Sequence, residues 1–173
     1  MAIHRIIYLP DPRLRCTNAS ITTFDKKLHT LIDDMFETMY DARGVGLAAP
    51  QIAVNLCLSV VDVVGNQDKK DQLVLVNPVI TATEGQAEYQ EGCLSLPGAF
   101  DTVIRAEKVT VKALDRLGNP FEITADGLLG ECLQHEIDHL NGKLFLDLLS
   151  PLKRAMARKK VDKFKRQQAR PVS

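Results

Sequence analysis

A pair of histidines spaced for metal binding points most directly to chemistry in this sequence. His135 and His139 enclose Glu136 in the pattern His-Glu-x-x-His. Residues four apart lie on one face of a helix, so both imidazoles can reach a single metal ion. The Glu beside the first ligand can take a proton from a water molecule on that ion. The segment therefore favours a metal-dependent hydrolase over a surface helix with two chance histidines.

A catalytic metal site needs a third protein ligand and one position left open for water. Phe145 stands where one peptidase class has a further His, and no Glu follows Glu136 to serve as in other zinc peptidases. Cys132 lies seven residues before His139, about 10 Å along a helix, too far for both to bind one ion easily. The third ligand must therefore come from upstream. The candidates are His4, Cys16, His29, Cys57 and Cys93.

Cys93 is the most attractive of these donors. A lone Cys is usually an inert small hydrophobic residue. The preceding glycine lets the backbone turn this thiol inward, and a deprotonated thiol is a soft anionic ligand. The two-histidine helix still lacks one ligand, which shifts the balance towards Cys93. His29 lies off the apolar stripe of its helix and is expected to be exposed.

Composition and charge are those of one ordinary folded domain. The 173 residues are enough for a hydrophobic core, and 22 Lys plus Arg balance 22 Asp plus Glu. No run is long enough to cross a membrane, and residues 1–10 lack the pattern of a cleavable signal. Four unclustered cysteines favour free thiols over disulfides. We expect a single domain over residues 1–173, located in the cytoplasm.

The elements that position these residues predict an α+β fold, with antiparallel or mixed sheets around a central metal-binding helix. That helix is expected between Asp126, a favourable N-cap, and the Asn141-Gly142 stop. An apolar stripe predicts an N-terminal amphipathic helix over residues 25–41. On spacing alone, the small residues at 44–51 indicate a tight turn. Extended segments are predicted at 6–9, 56–64, 73–80 and 87–96, with a hairpin at 109–115 and 120–124.

The C-terminal segment, after Pro151, is strongly basic. Nine Lys or Arg residues accompany only Asp162, so this segment carries about +8 and the remainder about −8. A basic helix is predicted within residues 151–170. Its thin apolar stripe would consist of Leu152, Met156, Lys160 and either Lys163 or Phe164. A solvated helix and docking on an anionic surface such as RNA are equally open.

Three separated segments resemble the motifs of the peptide deformylase family. Residues 44–51, Gly-Val-Gly-Leu-Ala-Ala-Pro-Gln, resemble G-x-G-x-A-A-x-Q. Residues 91–95, Glu-Gly-Cys-Leu-Ser, resemble E-G-C-L-S, and residues 134–139, Gln-His-Glu-Ile-Asp-His, resemble Q-H-E-x-D-H. They occur in the family's order, and the resemblance covers essentially the whole chain. The long basic C-terminal helix is similar to that of the bacterial type I subgroup.

The resemblance implies removal of the formyl group from N-formyl-methionine of new polypeptides, with release of formate. It implies Cys93, His135 and His139 as ligands of one Fe²⁺ per chain, with Zn²⁺, Ni²⁺ or Co²⁺ as possible substitutes. The partners are then formyl-methionyl nascent peptides and, through the basic helix, the ribosome; neither membrane nor DNA is expected. Glu91 is expected to pair with Arg105 and hold the Cys93 strand, although two independent surface charges remain an alternative.

The resemblance also implies catalytic roles for three residues. Glu136 would carry the proton from water to the leaving methionine nitrogen. The Gln51 side-chain amide and the Leu94 backbone N–H would donate to the formyl oxygen as negative charge develops there.

Substrate binding is expected along the small-residue segment. The backbone at Val45 and Gly46 would pair with the peptide as an added strand. An apolar pocket walled by Val45 and Cys132 would hold the methionine side chain, and Glu131 is expected to point to solvent.

Two other functional classes remain open on the residues alone. A different metallohydrolase would share the helix but take its third ligand from a residue other than Cys93. A non-enzymatic protein with a structural zinc, such as an RNA-binding module using the basic helix, would need four protein ligands and no Glu136.

Overall fold

The computed structural model describes residues 2–64 and 71–169, which form seven strands and three α-helices. The strands are β1 (Gly46–Ala48), β2 (Leu58–Val61), β3 (Leu73–Glu84), β4 (Ala87–Cys93), β5 (Leu96–Arg105), β6 (Lys108–Leu114) and β7 (Pro120–Ala125). The α-helices are α1 (Lys26–Asp41), α2 (Gly127–Leu140) and α3 (Pro151–Ala169).

Two antiparallel sheets provide the framework. Five strands are ordered β1-β2-β3-β6-β7, and β4 pairs with β5 as a separate hairpin. Leu47 lies opposite Val60 in this register, and Val60 lies opposite Val74. Because β1 is an edge strand, one side of its backbone is available for a further strand.

Helix α2 lies between the two sheets and is buried along most of its length. Its apolar side chains Leu133 and Ile137 pack on Leu75 and Val111 of the large sheet. The helix ends at Leu140 with Asn141 as its C-cap, and Gly142 takes the left-handed conformation (φ 74°) typical of a helix stop. The predicted α+β fold around a central helix is therefore confirmed.

Helix α1 covers the large sheet near β1. Its apolar stripe, including Ile32, Met35 and Met39, packs on Leu47 and other core residues. Asp25 caps the helix by accepting a hydrogen bond from the Leu28 N–H at 3.0 Å. The predicted helix at residues 25–41 and the hairpin at 109–124 are confirmed.

One local interpretation from the sequence is wrong, and one strand was not predicted. Residues 44–51 are not simply a turn, because Gly46–Ala48 pairs with β2 and a 3₁₀ helix then spans Ala49–Ile52. Pairing with a partner distant in sequence outweighs the turn tendency of the glycines. The strand β5 was not predicted, because Pro97 and Gly98 read as strand-ending residues.

Helix α3 is present, but its predicted apolar stripe is wrong. Leu152 and Met156 are 72% and 50% exposed. The side chains buried in the core are Ala157 and Val161, which lie four residues apart and pack against β5. Small side chains allow the helix to approach the hairpin closely, so size outweighs hydrophobicity here. None of the described helices is long and apolar enough to span a membrane.

Candidate metal centre

Cys93, His135 and His139 converge on one point between the β4–β5 hairpin and α2. The His139 Nε2 lies 3.3 Å from the Cys93 Sγ and 3.2 Å from the His135 Nε2. One donor atom of each residue lies within 4.8 Å of the other two. Three donors at this spacing could hold one metal ion between them.

Local geometry explains the convergence. The two histidines are one helical turn apart on α2, so their rings project from the same face. Cys93 ends β4, where the pairing with β5 shifts register between Gly92 and Cys93. This irregularity bends the strand and allows the thiol to face the helix.

A buried network of charges orients the ring of His135. Its Nδ1 lies 2.7 Å from Glu91 Oε1. Arg105 donates to both Glu91 oxygens and, at 2.9 Å, to Asp138 Oδ2. Because an ionised carboxylate only accepts, Nδ1 carries a ring proton, and Nε2 faces the centre. Burial favours the neutral ring, but the hydrogen bonds with Cys93 and Glu91 outweigh it and raise the pKa of His135 well above its usual range, so metal binding would release the proton on Nε2. The expected pairing of Glu91 with Arg105 is confirmed.

The ionisation of Glu91 follows from this network. Burial opposes the charged form, but the hydrogen bonds from Arg105 and His135 outweigh it and lower the pKa of Glu91 to about 2. The carboxylate is therefore charged across the physiological range, which keeps the His135 proton on Nδ1.

The donor set has the chemistry of a transition-metal site. A thiolate and two neutral imidazoles suit Fe²⁺ or Zn²⁺. Burial lowers the pKa of His139 well below its usual range, so this ring is neutral and can donate a lone pair. Burial raises the pKa of Cys132, which keeps it a thiol and agrees with its exclusion as a ligand.

Glu136 lies beside the centre with its side chain enclosed. It is 3% exposed, and its Oε2 lies 3.4 Å from the Ser59 hydroxyl, which also contacts Leu47 O at 3.0 Å. Burial raises the pKa of Glu136 to about 7. A carboxyl group with that pKa can both accept and release a proton near neutral pH. Sequence reasoning did not identify Ser59, because a lone Ser in a strand carries no motif.

Gln51 presents its amide nitrogen to the same region. The Ala48 N–H donates to Gln51 Oε1 at 2.9 Å, which fixes the oxygen on the side away from the centre. Gln51 Nε2 consequently donates to the Ser95 hydroxyl at 3.1 Å and lies 3.6 Å from Cys93 Sγ. Leu94 follows Cys93 in the turn between β4 and β5 and lines the cleft.

The centre opens into a cleft of about 600 Å³. Val45, Gly46 and Cys132 line it, and Leu128 and Phe100 line it with exposed side chains. The edge strand β1 borders this cleft. An extended peptide could therefore lie beside β1 with its first residue near the metal ligands.

The expectation that Glu131 points to solvent is wrong. Glu131 is 9% exposed and lines the cleft. Burial, together with the charge of Glu91, raises the pKa of Glu131 to about 7. Its position explains the placement, because residue 131 lies one helical turn before His135 and so shares its face. Helical spacing could have identified it.

Taking Glu136 as the proton-transfer group that the resemblance implies, we expect Gly46→Ala to lower kcat by about 100-fold, the cost of displacing such a group by about 1 Å. A Cβ at this position would lie 2.6 Å from Glu136 Oε1 and 2.9 Å from Cys132 Sγ, so Glu136 would have to move. Steady-state release of formate, the product that the resemblance implies, would measure the loss. Gly44→Ala is the matched control, because its close contact, at 2.8 Å, would be with the movable end of the Leu94 side chain, and the Gly46 O would lie at an ordinary 3.6 Å. Equal kcat values for the two variants would show that Glu136 tolerates displacement.

Comparison with known proteins places this geometry in context. The family model described as polypeptide deformylase matches residues 3–155. A peptide deformylase of Pseudomonas aeruginosa is 54% identical over 170 residues, covering 98% of this chain and 100% of that protein. A peptide deformylase of Azotobacter vinelandii is 54% identical over 168 residues, covering 96% and 99%.

Solved structures are similar as well. The crystal structure of a peptide deformylase from Legionella pneumophila has a TM-score of 0.95 at 68% identity and covers 99% of this chain and 100% of that one. A plant peptide deformylase has a TM-score of 0.89 at 36% identity, covering 95% and 90%.

Proposed function

The chain belongs to the polypeptide deformylase family, whose members remove the formyl group from new polypeptides, and we propose that Cys93, His135 and His139 bind its metal ion. The convergence of these three donor atoms within 4.8 Å is the observation that supports this assignment. The hydrolysis joins water to the formyl carbon, breaks the carbon–nitrogen bond and releases formate.

We propose that other residues of this chain transfer the proton and stabilise the charge that develops during the reaction. A bound divalent ion supplies a Lewis acid that polarises the formyl group and makes water more acidic. The carboxylate of Glu136 accepts a proton from the attacking water and then donates it to the leaving methionine nitrogen. Gln51 Nε2 and the Leu94 N–H donate hydrogen bonds to the formyl oxygen as its negative charge grows. Ser59, beside Glu136, helps to orient the carboxylate.

The substrate is held mainly through its backbone. Val45 and Gly46, at the start of the edge strand β1, offer their N–H and C=O groups to the peptide, while the methionine side chain lies against Cys132. Backbone pairing accepts many sequences after the first residue, which suits an enzyme that processes many different polypeptides.

The proposed native ion is Fe²⁺, at one per chain. The thiolate and imidazole donors fit Fe²⁺ and also allow Zn²⁺, Ni²⁺ or Co²⁺. Anaerobic purification followed by metal analysis and a formate-release assay on a formyl-methionyl tripeptide tests both metal and activity. We expect iron near one equivalent and rapid turnover that air abolishes. Air-stable activity with one equivalent of zinc would contradict the iron assignment.

Residues 1–173 are proposed to form one catalytic unit that includes α3. The buried side chains Ala157 and Val161 pack on the hairpin that carries Cys93, which supports this view. We also propose that the protein works in the cytoplasm, where new polypeptides leave the ribosome.

The basic helix α3 is proposed to dock on ribosomal RNA. Its exposed Arg158, Lys159 and Lys163 could contact phosphates. Changing all three to Glu should weaken ribosome binding at least about tenfold and flatten its salt dependence, while tripeptide cleavage stays unchanged. Co-sedimentation with ribosomes over a salt series measures the binding. This design spares Ala157 and Val161, which deletion of the helix would remove. Equal sedimentation of variant and parent at every salt concentration would rule out the docking.

A further inference from the structure

Phe100 forms a ridge between the substrate cleft and a second depression on the surface. Its side chain is 70% exposed and lines both. The second depression, of about 20 Å³, has a floor of Ala99 and Phe145, each 1% exposed. Met156 of α3 forms its far side. An apolar surface therefore continues from the cleft, over Phe100, to the C-terminal helix.

The ridge has a defined position relative to the metal ligands. Phe100 of β5 lies opposite Gly92 of β4, and Gly92 is the residue immediately before Cys93. A Cβ at Gly92 would overlap the Phe100 ring, so the ring lies directly on this backbone. A peptide that leaves the cleft along Gly92 must pass this exposed aromatic surface.

Beyond the ridge, the charge of the depression is positive. Lys153 and Lys160 line it together with one acidic residue, Asp101. Lys153 is paired with Asp101 at 3.3 Å. Lys160 forms no ion pair within 4.0 Å among residues 2–64 and 71–169, although its charge helps to lower the pKa of Asp101. Two lysines against one aspartate leave a net charge of about +1 beside the exposed apolar surface of Met156.

We propose that this depression, here called the α3 subsite, binds the segment of the polypeptide substrate that follows its third residue. The inference rests on the proposed placement of the substrate in the cleft. Continuity with the cleft through Phe100 points to the same polypeptide as the occupant. The apolar surface of Phe100 and Met156 selects an apolar side chain, and Lys160 selects a carboxylate. New polypeptides with apolar and acidic residues soon after their third position are therefore processed faster.

The experiment compares kcat/KM for three formyl-methionyl peptides. A tripeptide ends before the α3 subsite and provides the reference for every variant. Two heptapeptides share that tripeptide sequence and then continue with Leu-Glu-Glu-Ser or with Ser-Lys-Lys-Ser. We expect the parent protein to prefer the acidic heptapeptide by about three- to tenfold, the effect of a partly exposed ion pair with added apolar contact. The preference should shrink in high salt.

Two charge reversals on α3 separate a local contact from a general field. Lys160→Glu should abolish or reverse the preference. Arg158→Glu makes the same charge change about 200° around the helix and should leave it nearly unaltered. Met156→Ser should reduce the preference by removing only the apolar contact. An equal heptapeptide ratio in Lys160→Glu and Arg158→Glu would overturn the subsite.

Other outcomes point elsewhere. If the depression is a contact between two copies of this chain, Lys160→Glu will change the molecular mass measured by light scattering, and the subsite assignment fails. If the parent protein does not cleave the tripeptide, the proposed substrate placement fails instead. The reference peptide thus distinguishes failure of the subsite from failure of the active-site assignment.

Discussion

Replacing Glu136 with Gln is expected to reduce kcat about 10³- to 10⁴-fold while the protein keeps its metal. General acid–base groups contribute rate factors of about 10² to 10⁴. In the proposed reaction Glu136 acts first as the base that accepts a proton and then as the acid that donates it. Gln has the same shape, so it can occupy the space between Ser59 and Gly46 without a cavity. It cannot accept a proton from water. Single-turnover formate release, with metal content measured on the same sample, provides the test.

A second buried carboxyl on the same helix offers the matched control for Glu136. Glu131 lines the cleft, and burial raises its pKa to about 7, as it does for Glu136. Glu131→Gln makes the same chemical change one helical turn before His135 without touching the proposed reacting atoms. We expect at most about a tenfold loss from it. Similar losses from both variants would mean that general burial of negative charge, and not proton transfer by Glu136, supports the reaction.

The metal-binding helix was the part of the site most accessible from the sequence. His135 and His139 follow a local rule, because helical spacing alone places them on one face. The same rule would have placed Glu131 in the cleft, since it precedes His135 by one turn. The expectation that Glu131 points to solvent rested on its charge and ignored its helical spacing from His135. Local periodicity therefore carried more information here than residue type.

Features that depend on long-range pairing were less accessible. Gly46 belongs to a strand only because β2 pairs with it, and the strand β5 contains Pro97 and Gly98. Single-segment preferences cannot express such pairing. In α3, Ala157 is buried while Met156 is exposed, because the close approach to β5 decides which face turns inward. A hydrophobic stripe ranks residues by transfer energy and does not include the shape of the partner.

Cys93, the proposed third metal ligand, depends both on local spacing and on long-range pairing. From the residues alone, Cys93 was one of five candidates, because nothing local links β4 to α2. The structure brings its sulfur to 3.3 Å from His139 Nε2, at the point where the pairing of β4 with β5 shifts register between Gly92 and Cys93. A tertiary contact between residues 46 positions apart thus completes a site that local spacing only began.

Cys93→Ser is expected to lower metal affinity by more than about 100-fold and activity at limiting metal in proportion. Loss of a supporting residue around a metal site costs about 10- to 100-fold in affinity, and loss of a direct ligand should cost more. A Ser hydroxyl is a poor substitute because it stays protonated near neutral pH and is a harder donor than a thiolate. Competition with a chromophoric chelator under anaerobic conditions measures the affinity.

Cys16→Ser controls for the chemical change, since Cys16 is exposed and lies outside the cluster of donors. It should bind metal like the parent protein. Adding excess Fe²⁺ should restore part of the Cys93→Ser activity if the defect is affinity, whereas a misfolded variant would not respond. Full metal content and activity in Cys93→Ser, without added iron, would require a different third ligand. The proposed metal site would then have to include another donor residue, because two imidazoles alone give the ion too few protein ligands.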